Sequence, residues 1–174
     1  MTERIIIAGA GGQGIMIMGK VLAEAAMREN KFVTWLPCYG AEVRGGTAYC
    51  MVTVADKEIG SPWIDLADTL IIMNNPSLLR FKNRVKNKGF VILNSSLVKD
   101  SLKGNFLILK HDFSDIASRL GNIKIANMAA LGAYAAKKKT VKMATLLEVI
   151  RNMAKGYKQE LFGINKLALL SVSK

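Results

Sequence analysis

Arg4-Ile5-Ile6-Ile7-Ala8-Gly9-Ala10-Gly11-Gly12-Gln13-Gly14 is the stretch whose reading decides the fold class of this chain. Residues 4–8 are a continuous apolar run, the pattern of a strand buried inside a sheet. Gly9, Gly11 and Gly14 then bracket a tight turn in which backbone N–H groups can approach an anion. Residues 14–29 read as a helix: Ile15, Met18, Leu22, Ala25 and Ala26 recur at helical spacing, and Lys20, Glu24 and Arg28 form one charged stripe. A strand that turns into a helix in this way leaves the helix's positive end beside a phosphate-sized gap. The plainer alternative is a glycine turn that only packs helix on strand.

Outward from this unit, strand and helix signals alternate. Phe32 to Leu36 predicts a second strand, stopped by Pro37. Thr47 to Val54 predicts a long strand, and a short return strand after the turn at Ala55 to Glu58 would be antiparallel. Thr69 to Met73, Phe90 to Asn94 and Phe106 to Leu109 predict three more strands. Pro76 is placed to open a short basic helix. Asp112 to Leu120 predicts a helix closed by Gly121, Ile125 to Ala136 an Ala-rich helix apolar nearly all round, and Val141 to Met153 an amphipathic one. Tyr157 to Leu170 carries more apolar surface than a solvated helix needs, so this tail is expected to dock. The expected fold is α/β: a single domain over residues 1–174, three-layer α/β/α with an open sheet, mostly parallel with an antiparallel excursion, and a Rossmann-like start. Ligands of such sheets gather at the carboxyl ends of the strands.

Composition narrows the function. The 174 residues carry 25 Lys and Arg against 13 Asp and Glu, a net charge of +12, which favours polyanionic partners: nucleotides, nucleic acid or acidic proteins. The basic runs at 80–88 and 137–142 read as solvated helix ends, and no nucleic-acid-binding motif accompanies them. Cys38 and Cys50 have no CxxC partner, and His111 is the single histidine. Iron–sulfur and zinc sites take about four ligands, so no metal site is expected in this chain alone. No stretch of about 20 apolar residues is free of charge, so no membrane span is expected. The first strand begins so close to Met1 that no signal peptide is expected either, and the expected location is cytoplasmic.

Gly9-x-Gly11-x-x-Gly14 matches the dinucleotide fingerprint in spacing. A nicotinamide enzyme, however, carries an acid at the end of the second strand for the ribose hydroxyls. Thr34 to Cys38 offer none, and the first acid is Glu42. No Gly-Lys-Ser/Thr follows the turn, so it is no kinase-type phosphate loop. Gln13 can donate and accept at the helix start. A second glycine signature, Tyr39-Gly40-Ala41-Glu42-Val43-Arg44-Gly45-Gly46, adds a carboxylate and a guanidinium. Arg44 suits bidentate grip on a phosphate or carboxylate, or a structural pair with Glu42; Gly45 and Gly46 allow close passage of a ligand or a neighbouring backbone.

Together, Gly9 to Gly14, Pro37-Cys38-Tyr39-Gly40-Ala41-Glu42-Val43-Arg44-Gly45-Gly46-Thr47-Ala48, Asn127-Met128-Ala129-Ala130-Leu131-Gly132 and Asn165 resemble the gamma subunit, or gamma domain, of the 2-oxoacid:ferredoxin (acceptor) oxidoreductases. The resemblance covers nearly the whole chain. Ala41 stands where a proline is common, and Cys38 where a serine is frequent. The resemblance implies oxidative decarboxylation of a 2-oxoacid, transfer of the acyl group to coenzyme A and reduction of ferredoxin or a similar acceptor. It implies thiamine diphosphate between alpha and beta subunits, iron–sulfur clusters on beta and sometimes delta subunits, and a gamma subunit that helps hold coenzyme A and close the active site. The Gly-Ala-Glu-Val-Arg-Gly-Gly-Thr-Ala version looks closer to the 2-oxoglutarate and branched-chain members than to the pyruvate ones, which points to 2-oxoglutarate and succinyl-CoA. On this reading Gly9, Gly11, Gly12, Gln13, Gly14, Glu42, Arg44, Gly45, Gly46 and Asn127 contribute to cofactor binding, and no residue of the chain is catalytic. The residues are compatible with two other roles: a stand-alone NAD(P)- or flavin-binding reductase, and a non-enzymatic assembly module. A homodimer of the isolated chain is compatible with all three.

Overall fold

A first strand, β1 (Thr2–Ala10), buries Ile5, Ile6, Ile7 and Ala8 completely, with Ile5 and Ile7 in one core cluster and Ile6 and Ala8 in the other. A strand buried on both sides belongs in the middle of a sheet covered twice. The computed structural model describes residues 1–38, 47–154 and 159–172. After β1 come α1 (Ile15–Arg28), β2 (Phe32–Cys38), β3 (Thr47–Ala55), β4 (Ala67–Ile72), α2 (Asn75–Phe81), β5 (Val85–Asn94) and β6 (Leu107–His111). The chain then turns helical: α3 (Phe113–Arg119), a 3-10 turn at Ile123–Ile125, α4 (Ala126–Lys138), α5 (Met143–Met153) and α6 (Gln159–Leu170). Among the described residues the strands form one sheet in the order β2-β3-β1-β4-β5-β6.

The α/β class and the mixed sheet are as expected, but the antiparallel element is a different one. No strand returns after Ala55. Instead β3 itself runs antiparallel to both β1 and β2 and lies between them, while β1, β4, β5 and β6 pair in parallel. Only residues 39–46 separate β2 from β3. A parallel crossover needs about a dozen residues or more, so a connection this short returns the chain antiparallel. β2 is thereby pushed to the edge. Pro37 does not stop it but pairs with Cys50 inside it, because an edge strand has one free side where a missing N–H costs no ladder bond.

The basic run 80–88 is a helix end only in its first part, where Arg80 lies in the last turn of α2 and Lys82 caps it. α2 stops at Phe81, and Val85 to Lys88 open β5, five residues ahead of the predicted start at Phe90. The register shifts between Ala67–Val85 and Thr69–Phe90, so residues 86–89 bulge, with Lys88 at φ 61. The bulge carries the lysines to solvent and hides the strand period.

The three layers are unequal. Helices α1, α3, α4, α5 and α6 supply side chains to the cluster around Ile5 and Ile7, whereas α2 with Ile64, Val98 and Leu102 covers the Ile6 and Ala8 side. The apolar tail docks in part: Ala168 and Leu169 of α6 are fully buried, whereas Leu161, Leu167 and Leu170 stay exposed. A Cβ on Gly132 of α4 would collide with the Leu169 carbonyl oxygen, so the two helices meet backbone to backbone. α1 is seated in a similar way, since a Cβ on Gly19 would overlap Cys50 Sγ. Burial pushes the Cys50 thiol from 9.0 up to about 12. His111 ends β6 with its ring 5.8 Å from that of Phe113.

Gly132→Ala places a methyl group on a backbone atom that cannot step aside. The expected destabilisation is about 1–3 kcal/mol, read as a lower melting temperature; an unchanged melt would mean that α6 sits more loosely. Cys50 gives a pH signature. The folded state keeps a proton that the unfolded chain releases, so the Cys50 contribution is complete below pH 9 and is lost as pH rises toward about 12. Cys50→Ala is expected to flatten the fall in urea midpoint between neutral pH and about pH 10, and an identical fall in both proteins would remove Cys50 as its source.

Candidate functional site

The carboxyl edge of β1 is where the glycine turn lies. The Gln13 N–H donates to the Ala10 carbonyl at 3.2 Å, and Gly12 and Gly14 take φ values of 91° and 71°. Those values lie in the left-handed region that glycine occupies without penalty. Gln13 then locks the turn from within. Its Oε1 accepts from the Ala10 N–H at 2.7 Å, and its Nε2 donates to the Met73 carbonyl, just beyond β4, at 3.4 Å. A Cβ on Gly9 would stand 2.6 Å from Gln13 Oε1 and 2.7 Å from Ile15 Cδ1. Gly9 is therefore glycine because the lock fills its side.

Gly14 caps α1 and is held from outside that helix. Its carbonyl accepts from the Met18 N–H at 3.0 Å and from Asn127 Nδ2 at 3.1 Å. Asn127, 4% exposed, also accepts the Met128 N–H at 2.9 Å through Oδ1. A Cβ on Gly14 would occupy the place of the Asn127 amide. Two motifs far apart in the chain thus meet at one backbone carbonyl. Among the described residues the start of α1 has no side-chain cap, and its first turn holds no acidic residue. A helix start of this kind offers N–H donors, and the helix dipole adds positive potential there. Gly11 and Gly12 are exposed, and a methyl group added at either position would meet none of the described residues within 4 Å.

A second buried network backs the turn. The Met73 carbonyl also accepts from Asn94 Nδ2 at 3.1 Å. Asn94, fully buried at the end of β5, donates to Ser114 Oγ at 2.8 Å and accepts the Ser114 N–H at 3.2 Å. The carboxyl ends of β1, β4 and β5 and the start of α3 are so tied together. Neither Asn94 nor Ser114 stood among the predicted site residues. The available signal was a polar side chain closing the apolar run Phe90 to Leu93.

Glu42, Arg44, Gly45 and Gly46 lie outside the described residues. Their flanks are described: Cys38 pairs with Tyr49, and Thr47 pairs with Ala10 at the start of the turn. Both anchors of that segment therefore stand at the glycine edge. On the other side of Asn127, a cavity of about 300 Å³ opens between α1, α4, α5 and α6, lined among others by Ile17, Asn122, Asn127, Ile150, Leu161 and Asn165. Asn165 donates to the Leu161 carbonyl at 2.6 Å. Gly14, Asn127 and Asn165, spread over the sequence, thus converge on one end of the helical layer. Among the described residues no group of three or more His, Cys, Asp and Glu comes together, and no helix is long and apolar enough to cross a membrane.

The model of the pyruvate ferredoxin/flavodoxin oxidoreductase family matches residues 4–172. Ketoisovalerate oxidoreductase subunit VorA of Methanothermobacter marburgensis is 39% identical over 133 residues, covering 76% of this chain and 28% of its own length. The chain thus spans little more than a quarter of that relative. The 2-oxoglutarate synthase subunit KorC of Archaeoglobus fulgidus is 37% identical over 133 residues, covering 76% of this chain and 68% of KorC. Among solved structures, 2-oxoglutarate:ferredoxin oxidoreductase from Magnetococcus marinus, with 2-oxoglutarate, coenzyme A and succinyl-CoA bound, shares the fold over 99% of this chain and 31% of that one, at a TM-score of 0.89 and 22% identity. A match to the family model from Arg4 almost to the last residue, with a 37% identical relative aligned over most of both chains, leaves one assignment: this chain belongs to the pyruvate ferredoxin/flavodoxin oxidoreductase family.

Proposed function

We propose that this chain is the gamma subunit of a cytoplasmic 2-oxoacid:ferredoxin oxidoreductase and that it holds the phosphate end of coenzyme A at the glycine turn. The observation that carries this reading is the uncapped start of α1, with Gly11 and Gly12 open to solvent before it. Phosphate oxygens suit backbone donors at a helix N-terminus, and glycine lets them come close. The Gln13 and Asn127 bonds keep those donors in place before the ligand arrives, so little ordering is left to binding. Arg44, on the segment anchored at Cys38 and Thr47, adds a guanidinium for a phosphate or carboxylate, with Glu42, Gly45 and Gly46 shaping its approach. Coenzyme A, when bound, supplies the thiol that accepts the acyl group. Thiamine diphosphate and the iron–sulfur clusters belong to alpha, beta and, where present, delta partners, and ferredoxin or a similar protein takes the electrons. This chain supplies binding and orientation and no acid, base or nucleophile.

For the substrate we favour 2-oxoglutarate, giving succinyl-CoA, in keeping with the 2-oxoglutarate synthase relative. A branched-chain 2-oxoacid is the second reading, favoured by the 39% identity to a ketoisovalerate subunit. In the assembled complex, kcat/KM for 2-oxoglutarate is expected to exceed that for ketoisovalerate by at least about tenfold, a difference of about 1.4 kcal/mol in transition-state binding. The reverse order would select the branched-chain reading.

Gly11→Ala is the clean test of the coenzyme site, because the added methyl meets no atom of the described residues within 4 Å. The melting temperature should not change, while the KM for coenzyme A should rise about tenfold with kcat little altered. Arg44→Ala is expected to raise the same constant. If both variants bind coenzyme A like the parent, the glycine edge is not its seat.

A further inference from the structure

On the sheet face covered by α2, rings and guanidinium groups alternate. Arg80 lies 5.0 Å from the ring centre of Tyr49 and 5.5 Å from that of Phe81, and Arg84 lies 5.9 Å from Phe81 and 5.2 Å from Trp63. All four distances are within cation–π reach of about 6 Å. Phe81 is 1% exposed and anchors the run in the core, whereas Trp63 at the far end is 50% exposed. Trp63 Nε1 donates to Asp65 Oδ1 at 2.7 Å, and the Arg84 guanidinium donates to the carbonyls of Ile64 and Asp65. These bonds fix ring and guanidinium, and among the described residues no carboxylate pairs with Arg84. Leu66 and Leu79, both about half exposed, stand beside these residues in the chain.

The turn after α2 extends the positive region. Lys82 and Lys103 share a cleft of about 510 Å³ with Asn83, Ser101 and Phe106. Among the described residues, Arg80, Lys82, Arg84 and Lys103 make no ion pair, whereas neighbouring Lys86 is matched by Asp68. Among the described residues, Asp65 is engaged by Trp63 and Asp100 accepts from Asn75.

We propose that this face docks an acidic surface of a partner protein, with Trp63 and Leu66 as apolar anchors and Arg80, Lys82, Arg84 and Lys103 as the cations around them. Trp and Arg are the residue types that carry binding energy at protein interfaces, and guanidinium groups already seated on rings lose little freedom on docking. A second copy of this chain would bring like charges together. A single-stranded nucleic acid needs several open rings to stack on, yet Phe81 is buried, Arg80 covers Tyr49 and Arg84 covers one side of Trp63. A free phosphate would leave Trp63 and Leu66 unused. The surface is independent of the coenzyme assignment at the glycine edge.

The test is calorimetric titration of the full chain with three probes: a Glu–Tyr random copolymer, poly-L-glutamate, and oligothymidylate of matched charge. The copolymer should bind most tightly. Lys82→Glu with Lys103→Glu, two exposed positions whose change should leave the melting temperature intact, should weaken it at least about tenfold. Trp63→Ala should remove the advantage of the copolymer over poly-L-glutamate. Lys137→Glu with Lys142→Glu, a control pair remote in sequence, should change binding less than about twofold. Equal losses in the two lysine pairs would reduce the effect to overall charge and overturn the proposal. So would tighter binding of oligothymidylate, a copolymer advantage that survives Trp63→Ala, or self-association lost in the Lys82/Lys103 variant.

Discussion

The contact between Asn127 and Gly14 is the constraint on which the candidate site depends. A helix start of left-handed conformation has room for glycine alone when an amide from another helix fills the space of the missing side chain. Asn127 does two things at once: it excludes any larger residue at position 14, and it holds the first carbonyl of α1 at 3.1 Å. The orientation of α1 is thereby set by α4, a helix more than a hundred residues away. α4 in turn is pinned by Gly132 against the Leu169 carbonyl of α6. The donor end of α1 is thus the exposed tip of a chain of close backbone contacts.

The polar groups behind the turn obey the same economy. The Met73 carbonyl serves two side-chain amides, Gln13 and Asn94, and Asn94 uses both ends of its own amide on Ser114. A buried amide left without partners costs about 1–3 kcal/mol, so this cluster is stable only when complete. Completeness makes it rigid. A ligand that arrives at the edge of such a sheet meets donors whose positions have already been decided.

The β1–turn–α1 unit was legible because its signals are local: an apolar run, three glycines and a helical period in one short stretch. That the tail docks was legible from its apolar residues, but not which of them do so: Leu169 is buried while Leu161, Leu167 and Leu170 face outward. Pairing order was not. Whether β3 lies beside β1 depends on the length of the connection before it and on the competition among strands for the centre, and no residue of Thr47–Ala55 announces its direction. Pro37 misled because its cost depends on whether a strand is at the edge, which is a property of the sheet and not of the strand. Val85 to Lys88 misled because the bulge turned lysines outward at irregular intervals. Asn127 was legible only through a family motif, and its partner, Gly14, lies 113 residues away. Asn94 and Ser114 escaped because a single polar side chain at a strand end reads the same whether it faces solvent or a network.

The antiparallel placement of β3 has a consequence for how such a protein can diversify. In a uniformly parallel sheet, every strand end at the ligand edge is tethered to a crossover helix, and altering the tether shifts a whole layer. Here the chain leaves the edge at Cys38 and comes back at Thr47, with only residues 39–46 between them. Residues can be exchanged, added or removed between those two points while the ladder on either side keeps its pairs. Connection and scaffold are mechanically uncoupled at that place, so the short link between two paired strands can change on its own clock.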